Sequence, residues 1–273
     1  MMTPSGAPRR PPVALIIAAI LILILAVVTV VGALTVFQAP EPITEQAEDV
    51  DVLYQATLAI SLVVFFGVTA GIIYAIFRYR RTDDRLPEQI HGSSTLEFTW
   101  TIIPIVILVI LFVPSLILVI DLKTPKADEA DVIVEAIGHQ WWWEFDFPVE
   151  QLKVQSLPPD YQLQGIALGD ENYQPPMIVL PVGRTVLFKV SSQDVIHSFN
   201  VPEFLFKMHA VPGTINEFSV KLTKEGVYTG QCFQFCGLRH SDMLFIIDVR
   251  SPVAYQQWLD ETKEAQAPAV AGE

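Results

Sequence analysis

Three long apolar runs, residues 13–37, 53–77 and 98–120, decide most of what this chain can become. Each exceeds the roughly 20 residues a helix needs to cross the hydrocarbon core. The third contains Pro104 and Pro114, which membrane helices tolerate because neighbouring groups satisfy the freed carbonyls. Arg9 and Arg10 precede the first run, the following "APEPITEQAEDVD" holds no Lys or Arg, and Arg78, Arg80, Arg81 and Arg85 follow the second. The positive-inside rule then puts the N-terminus in the cytoplasm, 38–52 outside, 78–97 inside and 121–273 outside. Residues 38–120 are expected to form a helical hairpin in the membrane, with helices over about 53–77 and 98–120. Residues 1–37 are expected to be a signal peptide or an additional transmembrane helix. The retained helix is preferred, because the run outlasts an ordinary signal h-region and no A-x-A site follows it.

Beyond residue 120 the texture changes. "DVIVEAI", "TVLFKVSS", "INEFSVKL", "VYTGQ" and "MLFIIDV" alternate with period two, and "LPPD", "LGDENYQPP", "LPVG" and "VPG" punctuate them. Many short strands at this spacing predict a β-sandwich or barrel, expected here over 121–260. "SPVAYQQWLDETKEAQ" reads as a short amphipathic helix begun by Ser251-Pro252, and 261–273 as a loose tail ending in "APAVAGE". The chain is 51% hydrophobic and 17% charged, as suits a membrane protein with an aqueous part. Its net charge of −13 argues against nucleic acid as a partner, because phosphate binding needs clustered Lys and Arg. Residues 121–273 carry 21 Asp/Glu against 11 Lys/Arg. Such an acidic aqueous domain can steer a basic partner, though solubility alone explains the charge equally well.

The only two cysteines fall in one stretch, "GQCFQFCGLRHSDM", with the spacing Cys232-x-x-x-Cys236-x-x-x-His240-x-x-Met243. Thiolate, thioether and imidazole together suit copper. "DVIHSFNVP" supplies a further imidazole, His197, on a strand-like run in which Val195, His197 and Phe199 are expected to share a face. The order His, then Cys…His…Met near the end of a β-domain, matches cupredoxins. A disulfide between the cysteines and a zinc site on Cys, Cys and His are the alternatives, and the full ordered set favours copper over both. Two cysteines in place of the usual one would let each sulfur bridge two metals, with the Gln234 backbone carbonyl and Met243 as weak outer ligands.

In these residues the chain resembles subunit II of the haem–copper cytochrome c oxidases. That family's loop reads C-x-E-x-C-G-x-x-H-x-x-M, and this chain reads "CFQFCGLRHSDM" at 232–243. "HSFNVP" at 197–202, "VPG" at 211–213, "GHQWWWEFDFP" at 138–148, and "LEFTWTIIP" leading to "PSL" at 114–116 also match. The resemblance spans about 50–260. It implies membrane-anchored helices followed by an all-β cupredoxin-like Greek-key barrel holding a dinuclear copper A centre. Cys232 and Cys236 then correspond to the bridging thiolates, His197 and His240 to the terminal imidazoles, Met243 to the weak ligand, and Gln234 to the carbonyl ligand. Trp141 resembles the family's electron-entry residue, with Trp142 and Trp143 left to the sandwich core. Glu97 resembles the glutamate at the cytoplasmic mouth of a proton path, and Ser94-x-x-Glu97 also reads as a capping box.

Two positions depart from the family. Gln234 stands where the family has Glu, whose side chain binds a magnesium ion at the border with the catalytic subunit. An amide serves Mg²⁺ poorly, so magnesium is doubtful here. His209 stands where many members have Asp, and a plain surface or packing role is expected for it. His139 is expected to be hydrogen-bonded near the copper loop, and His91 to be a loop histidine.

The resemblance implies an electron-entry subunit in the plasma or inner membrane of a prokaryote. It would take electrons from cytochrome c, or a comparable basic donor, and pass them to the haem–copper subunit I. That partner would reduce oxygen and pump protons, with other oxidase subunits and membrane lipid around it. The quinol-oxidase version of the subunit lacks the copper ligands that stand here. A tethered copper carrier has no use for three apolar runs and an aromatic entry patch. A metal-free disulfide-bonded receptor would show no copper on analysis.

Overall fold

The computed structural model describes residues 13–36, 38–80, 89, 91–155 and 175–266. Arg9, Arg10, Arg81, Arg85, "LPPD", most of "LGDENYQPP" and "APAVAGE" lie outside the described residues. Two compact units emerge: residues 1–38 with 55–93, and residues 39–54 with 94–273.

In the first unit, α1 (Val13–Thr35) is a helix of aliphatic residues. The second helix, α2 (Glu45–Arg78), begins eight residues before its apolar run, so its first turns are polar and acidic. α3 (Ser94–Lys123) starts at the serine of the capping-box sequence and stays helical through both prolines. Ser115 Oγ donates to the Leu111 carbonyl at 2.7 Å one residue after Pro114, the back-bonding by which hydroxyls serve helix carbonyls. α2 and α3 are each long and apolar enough to cross a membrane.

The second unit contains α3 and a sandwich of two five-stranded sheets. The strands are β1 (Val132–His139), β2 (Trp142–Phe147), β3 (Leu152–Gln155), β4 (Met177–Pro181), β5 (Thr185–Ser192), β6 (His197–Val201), β7 (Phe206–Ala210), β8 (Asn216–Lys221), β9 (Gly226–Cys232) and β10 (Leu244–Arg250). One sheet runs β3-β2-β1-β5-β8 and the other β4-β10-β9-β6-β7. The parallel pairs β1–β5 and β4–β10 among antiparallel neighbours mark where the chain crosses between sheets. Alternation drives the burial. Val132, Val134 and Ala136 point inward from β1, and Trp143, Phe145 and Phe147 from β2. On the inner face of one sheet Phe199 of β6 stacks on Phe245 of β10 at 4.7 Å, and on that of the other Phe188 of β5 stacks on Phe218 of β8 at 5.1 Å. Such ring pairs add about 0.5–1.5 kcal/mol each beyond the area they bury. Gly230 is required by close approach, since a Cβ there would fall 2.0 Å from the Phe245 ring.

Trp142 departs from the expected core role. It faces outward from β2, half-buried, and stacks on His139 at 4.0 Å. The period-two pleat allows only one of two adjacent tryptophans inside, and Trp143 takes that place. A final helix, α4 (Pro252–Gln266), buries Tyr255 and Leu259 against the sandwich and runs past the expected boundary at 260.

The segment before α2 belongs to this unit. Ile43 is 2% exposed and Ala47 fully buried. Thr44 bridges Leu222, and the Lys221 amide donates to Gln46 Oε1 at 3.0 Å. Lys221 pairs with Glu45 and Lys224 with Glu41.

Candidate metal centre

Three neighbouring strands converge at one end of the second sheet. Phe199 of β6 pairs with Cys232, the last residue of β9, which brings His197 to the same end. The Cys232 amide donates to the Met243 carbonyl at 3.0 Å and the Phe233 amide to the Ser198 carbonyl at 3.0 Å. Backbone pairing therefore fixes where the intervening loop leaves and returns. His197 and Met243 are fully buried, and Cys232 and Cys236 nearly so.

The six residues singled out in the sequence meet here. Cys232 Sγ lies 3.8 Å from Cys236 Sγ, so both cysteines are free thiols. Cys232 Sγ is 3.9 Å from His197 Nδ1 and 3.2 Å from the Gln234 carbonyl oxygen. Cys236 Sγ is 3.5 Å from His240 Nδ1 and 4.0 Å from Met243 Sδ. Each sulfur thus has one imidazole nitrogen and one weaker donor beside it. The thiols differ electrostatically. Burial pushes Cys236 up, the neighbouring Cys232 adds to it, and the pKa reaches about 12. Burial also acts upward on Cys232, but hydrogen bonds from His197 and from the Ser198 and Gln234 backbones outweigh it and lower the thiol. Burial acts downward on His197, yet its bonds to Cys232 and Asp194 raise it.

Three surrounding residues escaped the sequence reading. Asp194 Oδ1 meets His197 Nε2 at 2.7 Å, which leaves Nδ1 to face the sulfurs. The other oxygen of Asp194 accepts the Gln140 amide at 2.6 Å. Gln140 Nε2 donates to the Cys236 carbonyl at 2.7 Å, and the Trp141 indole Nε1 donates to the same oxygen at 3.2 Å. Gly138 lets His197 approach, since a Cβ there would fall 2.8 Å from the imidazole Cδ2. The spacing D-x-x-H was the one signal that could have pointed to Asp194. Val195 is exposed in the turn before β6 and shares no strand face with His197 and Phe199, because that turn is folded around Asp194.

The remaining candidates lie apart from the sulfurs. Glu97 is exposed on the first turn of α3. His209 is exposed on β7, opposite Ser198, and His91 is exposed before α3. His139 is not hydrogen-bonded to the loop as expected. It stacks on Trp142, with Nε2 3.5 Å from Glu144 Oε2, because β1 turns it to the outer face of the sheet.

Residues 34–118 match the family described as cytochrome c oxidase subunit II, transmembrane domain, and residues 132–250 match its periplasmic domain. The chain belongs to the cytochrome c oxidase subunit II family. A probable cytochrome c oxidase subunit 2 of Rickettsia bellii is 32% identical over 241 residues, 85% of each chain. The cytochrome c oxidase subunit 2 of Cereibacter sphaeroides is 32% identical over 228 residues, 76% of this chain and 73% of that one. Among solved structures, the periplasmic domain of subunit II of cytochrome oxidase of Bradyrhizobium japonicum is 30% identical, covering 50% of this chain and 97% of that chain with a TM-score of 0.44. Like the family, this subunit II is a membrane protein with a periplasmic domain, and α2 and α3 are its two membrane-spanning helices among the described residues. Its grouped His197, Cys232, Cys236 and Met243 are a metal-binding set consistent with the family's copper site.

Proposed function

We propose that this subunit takes electrons from cytochrome c, or a comparable basic donor, at a dinuclear copper A centre and delivers them to a haem–copper subunit I. The observation that carries this reading is the pair of free, buried sulfurs 3.8 Å apart, each with its own imidazole and its own weak donor. A single blue-copper site needs one thiolate, and a second in the same dry pocket, with a second donor set, fits a shared two-metal core. Bound there, the copper pair supplies one-electron transfer with little change in bond length. Cys232 and Cys236 would supply the thiolates, His197 and His240 the imidazoles, and Met243 and the Gln234 carbonyl the weaker donors.

The chain's own residues do the rest. Asp194 orients His197. Trp141 stands half-buried at the surface, bonded to the residue that carries one sulfur, which suits an electron-entry point. Acidic side chains across the aqueous domain steer a positively charged donor into a weak, fast encounter. Glu97, near the cytoplasmic end of α3 in the proposed orientation, is suited to the mouth of a proton path into the partner subunit. With Gln234 lacking a carboxylate, a border magnesium ion would be weakly held. The setting is the plasma or inner membrane of a prokaryote, with the sandwich on the outer side.

The test is copper analysis and paramagnetic resonance on the full-length chain in detergent. Two copper atoms per chain sharing one unpaired electron are expected. One copper with an isolated-centre spectrum, or a Cys232–Cys236 disulfide in the active protein, overturns the reading. Cys232→Ser is expected to abolish the shared signal, and Gln234→Glu to leave it nearly unchanged.

A further inference from the structure

The family motif leaves open the positions just before its loop histidine and just before its methionine. In this chain they are Arg239 and Asp242. Arg239 Nε lies 3.0 Å from Asp242 Oδ2, and the side chains are only 17% and 15% exposed. The second oxygen of Asp242 accepts the Ser241 hydroxyl at 3.0 Å. The Asp242 amide donates to the Arg239 carbonyl at 3.0 Å, and the His240 amide to the Gly237 carbonyl at 3.2 Å. The turn around His240 is therefore closed twice, once through the backbone and once through a charged pair.

The two imidazoles at this site are held differently. His197 lies in a strand, with Asp194 on its far nitrogen. His240 lies on a single 3-10 turn, and among the described residues no carboxylate meets its far nitrogen. Whatever fixes its direction must come from the turn. A largely buried ion pair adds little net stability, because desolvation offsets the attraction. It does restrict geometry, since the two side chains must stay within reach of each other across the turn.

We propose that Arg239 and Asp242 are positioning residues for the metal loop: their ion pair holds His240 and Met243 in ligating geometry and slows metal loss. The proposal rests on the copper reading above, and its test separates the two. The full-length chain in detergent and its Arg239→Gln, Asp242→Asn, double and Arg239→Lys variants would be compared with and without copper. Copper loss to a chelator is expected to be about tenfold or more faster in each single neutral variant, the usual cost of disturbing groups behind a ligand. The double variant is expected to be no worse than the poorer single, and Arg239→Lys to recover part of the effect. The copper hyperfine pattern should change in the neutral variants while the melting temperature of the metal-free chain stays close to the parent's.

Without copper, the His240 ring resonance should broaden or shift in the neutral variants, and this readout stands even if the parent chain proves to bind copper otherwise than proposed. Unchanged copper loss and spectrum, an unchanged His240 resonance, or a melting temperature falling in step with copper retention would each overturn the proposal. The last outcome would mean that the pair merely stabilises the fold.

Discussion

A few atoms decide how the sulfur pair behaves. Cys236 is pushed up to about 12, so in the metal-free protein at neutral pH it is a thiol. Loading a soft metal must expel that proton, and copper affinity is expected to rise by about tenfold per pH unit for each proton released. Titrating copper at several pH values against a competing chelator measures the slope. The sign for the metal-free fold is opposite. Above the ordinary thiol value of 9.0, the unfolded chain has lost the proton that folded Cys236 keeps until about 12. Metal-free stability therefore falls from pH 9.0 upward, and thermal melts across that range should show the decline.

Gly138 is a second sensitive point. Gly138→Ala would drive a methyl into the His197 ring, and it is expected to alter the copper spectrum and cost about 1–3 kcal/mol of stability in a denaturant melt. The grouping of His197, Cys232, Cys236 and Met243 was legible because soft donors at fixed spacing are rare in any chain. Asp194, Gln140 and Gly138 were not, since each acts through a fold-dependent contact: a carboxylate behind a ring, an amide on a carbonyl, a missing methyl.

Among the elements, those with strict alternation were the readable ones. "TVLFKVSS" is β5 residue for residue, and "MLFIIDV" is β10 shifted by one. β2 hid inside a run of three tryptophans, whose bulk masked the pleat. β3, β4 and β7 are four or five residues each, too short for a period to stand out. The start of α2 was missed for another reason. Residues 45–52 are polar, so hydropathy alone could not extend the helix, yet Ile43, Gln46 and Ala47 close one side of the sandwich. Ile43→Ala is expected to cost the aqueous unit about 2–5 kcal/mol, read from denaturant unfolding. A fragment beginning at residue 121 would lack this cover altogether and should melt below the intact chain.

At the scale of the whole molecule, the acidic balance of residues 121–273 was plain from composition, but its local arrangement was not. Lys153 sits 2.6 Å from Glu144 and 3.3 Å from Asp146, so two outward carboxylates of β2 are partly neutralised. Reduction by a basic cytochrome c should slow as ionic strength rises. Lys153→Gln should speed it at low salt and make little difference at high salt, by stopped-flow measurement. No acceleration at low salt would mean that the donor lands elsewhere.

The Cys236 carbonyl takes hydrogen bonds from both Gln140 and Trp141. If Trp141 is the entry point proposed above, an electron on the indole would meet a bonded line to the metal: one hydrogen bond, then the short covalent arm of Cys236 down to its sulfur. Tunnelling along such a bonded route decays far less than a jump across empty space. The rate of entry should thus depend on that one contact more than on how closely the donor nestles against the surface.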